Sequence, residues 1–474
     1  MWQRRLMSVA TVGLLVISIA TAVRADVRLP HVFSDHMVLQ RDINIPVWGW
    51  DNAGQKVTVT LGESKAETVT GKDGKWSLKL AAMKAGGPHK MTVTGSSTAM
   101  LGNVMTGDVW IASGQSNMHM TTARVAACRY GGVNQTRVEV ARADKYPNVR
   151  LFLAPKQGTQ TPKDDCEGGW TVCRSGTVRN FSGVGYLFSR YLHDAVKVPI
   201  GVIDVSVGGS VAEAWISREV VEGNSAAKAG PKKGMSVYYN AMLAPLIPYG
   251  IKGAIWYQGE GNVSRHAQYR DVMALLIGDW RKRWGVGEFP FIFVQLANFY
   301  KESDGPWPEL REAQLRTWQT VPNTAMAVAA DTGGGGVHPR NKQDVALRLC
   351  LAARAIAYGE KIVYSGPIYR EMKIEGGRVR LLFDHVGGGL VAKRGDLKYF
   401  EVAGKDGKYH PATATIDGKT ILVGREKTPN PVAARYAWRV NPLHCNLYNK
   451  ENIAASPFRT DDPPRPAPDK SEGK

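Results

Sequence analysis

Few cysteines and no closely spaced metal ligands occur in this sequence. Five cysteines are spread over 474 residues, with no Cys-x-x-Cys pair and no paired-histidine spacing of the kind that binds metals. No metal site is therefore predicted. No other cofactor is predicted either. The odd number leaves at least one thiol unpaired in any disulfide pattern. Cys166 and Cys173, in "DDCEGGWTVCRSG", are near enough in sequence to close a small disulfide loop.

Long apolar runs are absent after the first 25 residues. Residues 1–25, "MWQRRLMSVATVGLLVISIATAVRA", place Arg4 and Arg5 before an apolar run and small residues around Arg24. This order is typical of a secretory signal peptide and predicts an exported protein, periplasmic, cell-surface or secreted, that starts near Asp26. The alternative is an uncleaved membrane anchor, but the run is shorter than the ~20 residues of a spanning helix. No membrane span is predicted in the remaining chain.

Acidic residues are fewer than basic ones. The chain has 61 Lys and Arg against 42 Asp and Glu, a formal net charge of +19. The predicted signal peptide contains three arginines and no acid, so its removal leaves +16. Basic residues are spread along the chain without a nucleic-acid-binding motif, so a solvated basic surface is predicted and nucleic-acid binding is not. Such a surface also attracts anionic substrates in general.

The pattern of the chain divides it into three parts and a tail. Residues 26–101 contain short alternating runs between Gly and Asp turns, which predict a small antiparallel β-domain. In residues 102–365, apolar strand patterns alternate with helical ones, such as the apolar stripe from Tyr269 to Trp284. This alternation predicts a parallel sheet with helices on both faces. Residues 366–460 return to short strands and turns, and the Pro-rich residues 461–474 are predicted to be disordered.

Ser116 follows the first predicted strand of the middle part. In "GDVWIASGQSNMHM" the apolar run stops at Gly114, and Ser116 stands between Gln115 and Asn117. A turn from strand to helix here would lift the hydroxyl above the sheet, where backbone N–H groups at the helix start can meet an oxyanion. This position suits a nucleophile. The simpler alternative is that Ser116 only caps the helix.

Polar residues also follow two further predicted strands. "GAIWYQGEGN" ends with Gln258, Glu260 and Asn262, and "SVGGSVAEAW" contains Gly208 and Gly209. Because the carboxyl ends of parallel strands lie at one edge, these amides and a glycine N–H could surround one carbonyl oxygen. The alternatives are a turn role for the two glycines and a solvated charge for Glu260.

His338 is the candidate base. It lies in "DTGGGGVHPRNKQDVALRL", after a glycine run and before a helical pattern. A histidine at that position can approach Ser116, act as general base and then protonate the leaving alcohol. The other nine histidines, His119 and His266 among them, are given structural roles.

The four motifs together resemble a known family. "GQSNM", "GGS…EAW", "WYQGEGN" and "VHPRNK", in this order, are similar to the sialate O-acetylesterase family of the SGNH hydrolase clan. The resemblance extends to "FSDHMVLQRD", "NVMTGDVW", "FSGVGYLFSRYL" and "PFRTD", and so covers all of the predicted mature chain except the tail. It implies an SGNH-hydrolase-like parallel sheet flanked by helices, with sandwich-like β-rich modules at both ends.

The resemblance also implies roles for the candidate residues. Ser116 would be the nucleophile and His338 its base. The implied oxyanion hole consists of the Ser116 N–H, a glycine of the Gly208–Gly209 pair, and Gln258, with Asn262 as a further candidate. Gln115, Asn117 and Glu260, which adjoin these groups in the motifs, are predicted to contact the substrate.

One departure from the clan pattern concerns the acid that orients the catalytic histidine. Enzymes of this clan carry an Asp two or three residues before that histidine, where this chain has Gly336 and Gly335. The nearest upstream acid is Asp331. Either Asp331 orients His338, or a backbone carbonyl does so and the site is a dyad.

Three functions remain open at this point. The first is removal of O-acetyl groups from sialic acids through an acetyl-enzyme. The second is the same chemistry on another acetylated glycan, such as xylan. The third is a carbohydrate-binding protein whose catalytic site has decayed, against which the presence of Ser116, Gln258 and His338 argues. An acetylated carbohydrate is the partner in the first two cases, and the oligomeric state stays open.

Overall fold

The computed structural model describes residues 26–231, 234–299, 305–334 and 336–461. The predicted signal peptide lies outside the described residues, as does all of the predicted tail after Asp461. All of the candidate site residues lie within the described part of the chain.

The N-terminal module is built mainly of short antiparallel strands, as predicted. β3 pairs with β4 and β6, and β2 pairs with β5. Burial alternates along β2 and β3, because successive side chains point to opposite faces of a sheet. The strands are β1 (Val38–Gln40), β2 (Ile45–Trp50), β3 (Lys56–Leu61), β4 (Ser64–Val69), β5 (Lys75–Leu80) and β6 (Gly86–Thr94).

A single long strand, β7 (Thr98–Gly114), joins this module to the middle region. Its first half pairs antiparallel with β6 and parallel with β1, and its second half pairs parallel with β10 (Ile200–Ser206) and β11 (Gly253–Tyr257). β7 therefore runs through the predicted boundary between residues 101 and 102. One continuous backbone ladder fixes the N-terminal module to the strand that carries Ser116 at its end.

The middle region is built on a mainly parallel sheet. The strand order is β13-β12-β11-β7-β10-β8-β9, and every neighbouring pair is parallel except β8 with β9 at the edge. The predicted apolar runs all form strands of this sheet and are buried. The remaining strands are β8 (Val149–Leu153), β9 (Trp170–Val172), β12 (Phe291–Val294) and β13 (Thr324–Ala327).

Helices cover both faces of the sheet. Trp110 of β7 contacts Phe188 of α4, and Trp256 of β11 contacts Trp280 of α7. Trp256 is paired with Ser113, three residues from Trp110, so the two tryptophans point to opposite faces. The helices are α1 (Ser116–His119), α2 (Thr136–Arg142), α3 (Ser175–Val178), α4 (Gly183–Val196), α5 (Arg218–Glu222), α6 (Ser225–Lys228), α7 (His266–Trp284), α8 (Trp307–Thr320) and α9 (Lys342–Tyr358). Single 3-10 turns cover Ala143–Lys145, Ala212–Trp215, Ala244–Leu246 and Glu260–Arg265, and a π turn covers Tyr239–Leu243.

The C-terminal module forms three small antiparallel sheets. Their orders are β14-β15-β20-β19, β18-β17-β21-β23 and β16-β22. Arg311 of α8, fully buried, anchors the module by donating to the backbone oxygens of Arg439 and Val440. The strands are β14 (Ile368–Glu375), β15 (Arg378–Asp384), β16 (Leu390–Ala392), β17 (Phe400–Ala403), β18 (Tyr409–Pro411), β19 (Thr413–Asp417), β20 (Thr420–Gly424), β21 (Ala433–Tyr436), β22 (Leu447–Asn449) and β23 (Phe458–Arg459).

The described part of the chain contains neither a disulfide nor a helix that is long and apolar enough to cross a membrane. All five cysteines are buried free thiols, so the loop suggested for Cys166 and Cys173 is not closed. Burial raises the pKa of both thiols to about 12, because it disfavours the charged thiolate.

Candidate active site

Four of the predicted site residues lie at the carboxyl edge of the parallel sheet. Ser116 follows β7, Gly208 follows β10, Gln258 follows β11, and His338 lies on the loop between β13 and α9. β7 is the strand between β10 and β11, so the residues that follow these three strands are neighbours. This is the edge at which ligands bind in open α/β sheets.

The turn that places Ser116 depends on a glycine. Gly114 has φ +130°, and a Cβ added to it would lie 2.3 Å from the backbone oxygen of Tyr257. Gln115 then secures the loop after β11, because its Oε1 accepts hydrogen bonds from the N–H groups of Gly259 and Gly261. Ser116 is the first residue of α1 and is partly exposed. Its hydroxyl is therefore presented above the sheet, whereas Gln115, predicted to bind substrate, is buried beneath it.

Two backbone N–H groups form the strongest candidate for an oxyanion hole. A Cβ added to Gly208 would lie 3.7 Å from the Cβ of Ser116, so these two residues are in direct contact. None of the described groups accepts a hydrogen bond from the N–H of Ser116 or of Gly208. Gly209 has φ +76° and open space beside it, which fits a turn. The Ser116 and Gly208 amides are thus available to an oxygen placed between them.

Gln258 and Asn262 belong to an internal hydrogen-bond network. Gln258 is fully buried, and its Nε2 donates to the backbone oxygen of Ser210 (3.1 Å) and to Oδ1 of Asn262 (2.8 Å). Asn262 donates through Nδ2 to Glu213 (3.0 Å). Both N–H groups of Gln258 are engaged, so it would have to give up one bond to serve an oxyanion. The oxyanion roles of Gln258 and Asn262 remain predictions. The observed hydrogen bonds do not favour them.

Asn117 links the nucleophile helix to the two neighbouring loops. Its Nδ2 donates to Oε1 of Glu260 (2.5 Å) and to the backbone oxygen of Val337 (2.9 Å), and its Oδ1 accepts from Nζ of Lys342 (2.6 Å). Asn117 and Lys342 are fully buried. Asn117 and Glu260 were predicted to contact substrate, but these contacts give Asn117 the role of holding the loop of His338 against α1.

The buried charges of this network shift each other's pKa. Burial lowers the pKa of Lys342 to about 7, against the opposing effect of Glu260. Burial raises the pKa of Glu260, whose Oε2 has no hydrogen-bond partner among the described residues. Nζ of Lys342 also lies 5.0 Å from the ring centroid of Tyr257, a cation–π distance.

His338 stacks on Tyr130. Their ring centroids are 4.3 Å apart and the planes differ by 16°. Burial, and then the charge of Lys342, lowers the pKa of His338 to about 4, so the imidazole is neutral at neutral pH, as a general base must be. No hydrogen bond joins it to Ser116 in the described structure; such contacts are often long without substrate and tighten in the complex.

Asp331 lies in a different environment from the one predicted. Its two carboxylate oxygens accept hydrogen bonds from Arg348 at 2.6 and 2.7 Å, and the Tyr448 hydroxyl donates to it at 2.7 Å. Burial alone would raise its pKa, but Arg348 and Tyr448 outweigh burial and lower it. Among the described contacts, none joins Asp331 to His338. Its place in a triad stays a prediction without a supporting contact.

We therefore expect Asp331→Asn to lower stability and leave kcat per folded molecule nearly unchanged. The substitution leaves the guanidinium of Arg348 buried without its counter-charge, which typically costs about 3–5 kcal/mol. A thermal melt measured beside kcat tests this, and the double variant Asp331→Leu/Arg348→Met, which removes both charges, should melt higher than the single variant. A loss of more than about 10²-fold in kcat with an unchanged melt would instead make Asp331 the triad acid.

A second expectation concerns the charge of Lys342. Because this charge helps to lower the pKa of His338, Lys342→Met should move the acidic limb of kcat/KM upward from about 4 toward the ordinary histidine value of 6.5. Activity requires the neutral imidazole, so it is present above the limb and lost as the pH falls through it. Lys361→Met, at an exposed lysine just after α9, is the matched control. An acidic limb that stays in place would contradict the expectation.

Tyr130 and Lys342 were not singled out from the sequence. Lys342 stands four residues after His338 in the quoted "VHPRNK", and this spacing was the available signal. Tyr130 lies in a stretch without a helical or strand period, so no pattern pointed to it. With His338 it lines a cavity of about 760 Å³. The described residues contain no group of three or more His, Cys, Asp or Glu that could hold a metal ion.

Comparison with known families shows which family contains this arrangement of residues. A family model described as "Carbohydrate esterase, sialic acid-specific acetylesterase" matches residues 106–357, which is more than half of the chain. The chain belongs to this family. The matched range extends from β7 to α9 and so contains Ser116, Gly208, Gln258 and His338. The resemblance found in the sequence motifs is confirmed.

Relatives of this esterase family match nearly the whole chain. The sialate O-acetylesterase of Homo sapiens is 33% identical, covering 91% of this chain and 92% of its own length. That of Pongo abelii is 32% identical, with 92% and 94% covered. A crystal structure of a carbohydrate acetylesterase from Xanthomonas citri superimposes with a TM-score of 0.85 at 37% identity, covering 92% of this chain and 100% of that chain. The predicted fold class, including the flanking β-rich modules, is therefore confirmed.

Proposed function

We propose that the protein is a serine esterase that removes O-acetyl groups from sialic acids or sialylated glycans through an acetyl-enzyme. The observation that carries this proposal is the arrangement around Ser116. Its hydroxyl stands above a strand end and next to the loop of a neutral His338. Beside it lies the N–H of Gly208, which donates to none of the described residues. The sialate O-acetylesterases that are 32–33% identical over the chain support the substrate class.

The proposed reaction has two steps. His338 takes the proton of the Ser116 hydroxyl as the oxygen attacks the acetyl carbonyl, and the N–H groups of Ser116 and Gly208 stabilise the oxyanion. The carbon–oxygen bond to the sugar breaks, and His338 returns the proton to the leaving alcohol. In the second step His338 takes a proton from water, whose oxygen attacks the acetyl carbon. The bond from that carbon to Oγ of Ser116 breaks, His338 returns the proton to Oγ, and acetate leaves.

The site needs no triad acid in this scheme. The backbone of the His338 loop is held by the hydrogen bond from Asn117 to Val337, and the imidazole ring is held by Tyr130. These contacts restrict the ring without a carboxylate partner. We therefore assign the catalytic pair to Ser116 and His338, with Asn117 and Tyr130 as positioning residues.

Deacetylation of a neutral glycan is the second candidate. The Xanthomonas citri structure at 37% identity is described as a carbohydrate acetylesterase, without reference to sialic acid. The chemistry at Ser116 would be identical in both cases. The two candidates differ in the sugar that must fit the cavity beside His338.

Acetate release from a panel of acetylated sugars tests the proposal. The purified protein should release acetate from O-acetylated N-acetylneuraminic acid with a higher kcat/KM than from acetylated xylan. The reverse order would favour the second candidate. Release from neither sugar, together with no hydrolysis of 4-nitrophenyl acetate, would indicate a binding protein.

We also propose that the protein is exported. The charged and then apolar order of residues 1–25 supports this, and the mature chain would start near Asp26. N-terminal sequencing of the protein recovered outside the cytoplasm tests it. An intact Met1 on that material would contradict cleavage.

A further inference from the structure

The cavity beside His338 is lined by three arginines and, among its described lining residues, by no acid. It has a volume of about 760 Å³, and its walls come from residues 124–134, 332–334 and 336–341. Arg124, Arg129 and Arg340 all belong to this lining. Their common charge gives the cavity a positive potential, and a recess with one sign of charge concentrates counter-ions of the other sign.

The cavity is directly connected to the catalytic residues. The ring of Tyr130 lines it and stacks on His338. The hydroxyl of Tyr130 would lie 3.2 Å from a Cβ added to Gly208, whose N–H we assign to the oxyanion hole. A substrate with its acetyl carbonyl between Ser116 and Gly208 therefore meets Tyr130 next, and its sugar extends from there into the cavity.

Arg340 is held in place before any ligand binds. Its Nε donates to the backbone oxygen of Gly132 (2.9 Å), and its Nη2 is 3.4 Å from that of Val133. The backbone oxygen of Arg340 in turn accepts from the N–H of Asn134 (2.8 Å). These contacts fasten one wall of the cavity to the other. Nη1 of Arg340 has no partner among the described residues and remains available as a donor.

Arg124 and Arg129 carry unengaged charges. Both are exposed, and none of the described residues forms a hydrogen bond or ion pair with either guanidinium. Arginines elsewhere at this sheet edge have internal acceptors: Arg265 is paired with Glu213 and Arg348 with Asp331. An unpaired guanidinium beside a cavity is suited to bind a carboxylate, through two parallel N–H···O bonds.

We propose that Arg124, Arg129 and Arg340 form a subsite for the carboxylate of the substrate, and that this subsite selects acidic over neutral acetylated sugars. The inference rests on the proposed function, because it identifies the part of that substrate which the cavity recognises. It assigns substrate selection to side chains that take no part in the chemistry at Ser116. Selection should therefore appear in the ratio of kcat/KM values for two substrates rather than in kcat alone.

The test compares two substrates that differ in one group, a charged carboxylate or a neutral carboxamide. One is O-acetylated N-acetylneuraminic acid, and the other is the same sugar with its carboxylate converted to the carboxamide. Acetate release gives the ratio of the two kcat/KM values. The wild-type protein should prefer the acid, and each of Arg124→Gln, Arg129→Gln and Arg340→Gln should lower that ratio, by about 10-fold for a well-placed guanidinium. Raising the ionic strength should also lower it, since exposed charges are screened.

Arg378→Gln is the matched control. Arg378 lies on β15 in the C-terminal module, is exposed and is not among the residues that line this cavity. It loses the same charge as the three test variants, so a general effect of net charge would appear in it equally. A wild-type ratio near one, or a ratio that falls as much in Arg378→Gln as in the three variants, would overturn the subsite.

Direct binding separates this inference from the proposed function. Calorimetric titration with unacetylated N-acetylneuraminic acid and with its carboxamide requires no turnover. If no acetate is released but the acid binds and the three variants lose that binding, the proposed function fails and the subsite stands. If acetate is released and the acid and carboxamide bind equally in every variant, the subsite fails and the esterase stands.

Discussion

Replacing Ser116 with Ala is expected to reduce kcat by roughly 10⁴- to 10⁶-fold, the range seen when the nucleophile of a serine hydrolase is removed. The substitution removes the oxygen that forms the acetyl-enzyme and leaves the backbone N–H groups of Ser116 and Gly208 in place. The hydroxyl of Ser116 makes no hydrogen bond to the described residues, so its loss leaves no buried group unpaired. The thermal melt should therefore be nearly unchanged.

Ser113 provides the matched control. It lies three residues earlier, inside β7, and its hydroxyl donates to the backbone oxygen of Val205 at 2.9 Å. Ser113→Ala should lose about 1 kcal/mol of stability and keep its kcat, the opposite of Ser116→Ala. A rapid burst of alcohol release in the wild type, and an acetyl group on the peptide that contains Ser116 after acid quenching, would report the covalent step directly. Turnover close to wild type in Ser116→Ala would exclude it as the nucleophile.

The sequence pattern was sufficient to predict that the residues after three of the strands lie at one edge of the sheet. Ser116, Gly208 and Gln258 each stand directly after an apolar run of strand length. Parallel strands bring their carboxyl ends to one edge, so the position of a residue after its strand already predicts its neighbours. The same reasoning predicted the helix that begins after His338. These inferences depend on period and order along the chain, which are both local properties.

Hydrogen-bond partners were not predictable in the same way. The position of Gln258 at the strand end did not indicate that its amide would donate to Ser210 and Asn262. That choice of partner depends on side-chain rotamers and on differences in atomic position of less than about 1 Å. Asp331 was matched to His338 by proximity in sequence. Its actual partners lie 17 residues later in α9 and 117 residues later in the C-terminal module. A contact between modules cannot be read from local sequence.

The boundary between the first two modules was also beyond the local pattern. The change from alternating to continuous apolar residues occurs near residue 101, and this change predicts a boundary there. In the structure the backbone does not break, because β7 uses its first half in one sheet region and its second half in another. A strand long enough to pair on both sides joins the modules without a linker.

The second large effect is expected at His338, and its signature is a pH profile. With a pKa of about 4, lowered by burial and then by the charge of Lys342, His338 stays neutral far into the acidic range. The free enzyme should therefore keep its kcat/KM from neutral pH down to about 5 and lose it as the pH falls through about 4. An ordinary histidine would lose activity near 6.5. His338→Gln should lower kcat on the order of 10⁴- to 10⁶-fold and remove this limb.

His119 is the control for this prediction, because it is a second buried histidine with a lowered pKa. It is buried on α1, close to Tyr130, and burial together with the charge of Lys156 lowers its pKa to about 4 as well. A limb near pH 4 in the wild type could thus arise from either histidine. His119→Gln should keep both the limb and most of kcat, since the contact of His119 is with Lys156 rather than with the nucleophile. Loss of the limb in His119→Gln and its survival in His338→Gln would assign the base to His119. A limb near 7 in both variants would point instead to Asp204 or Lys342, whose pKa values burial shifts to about 7.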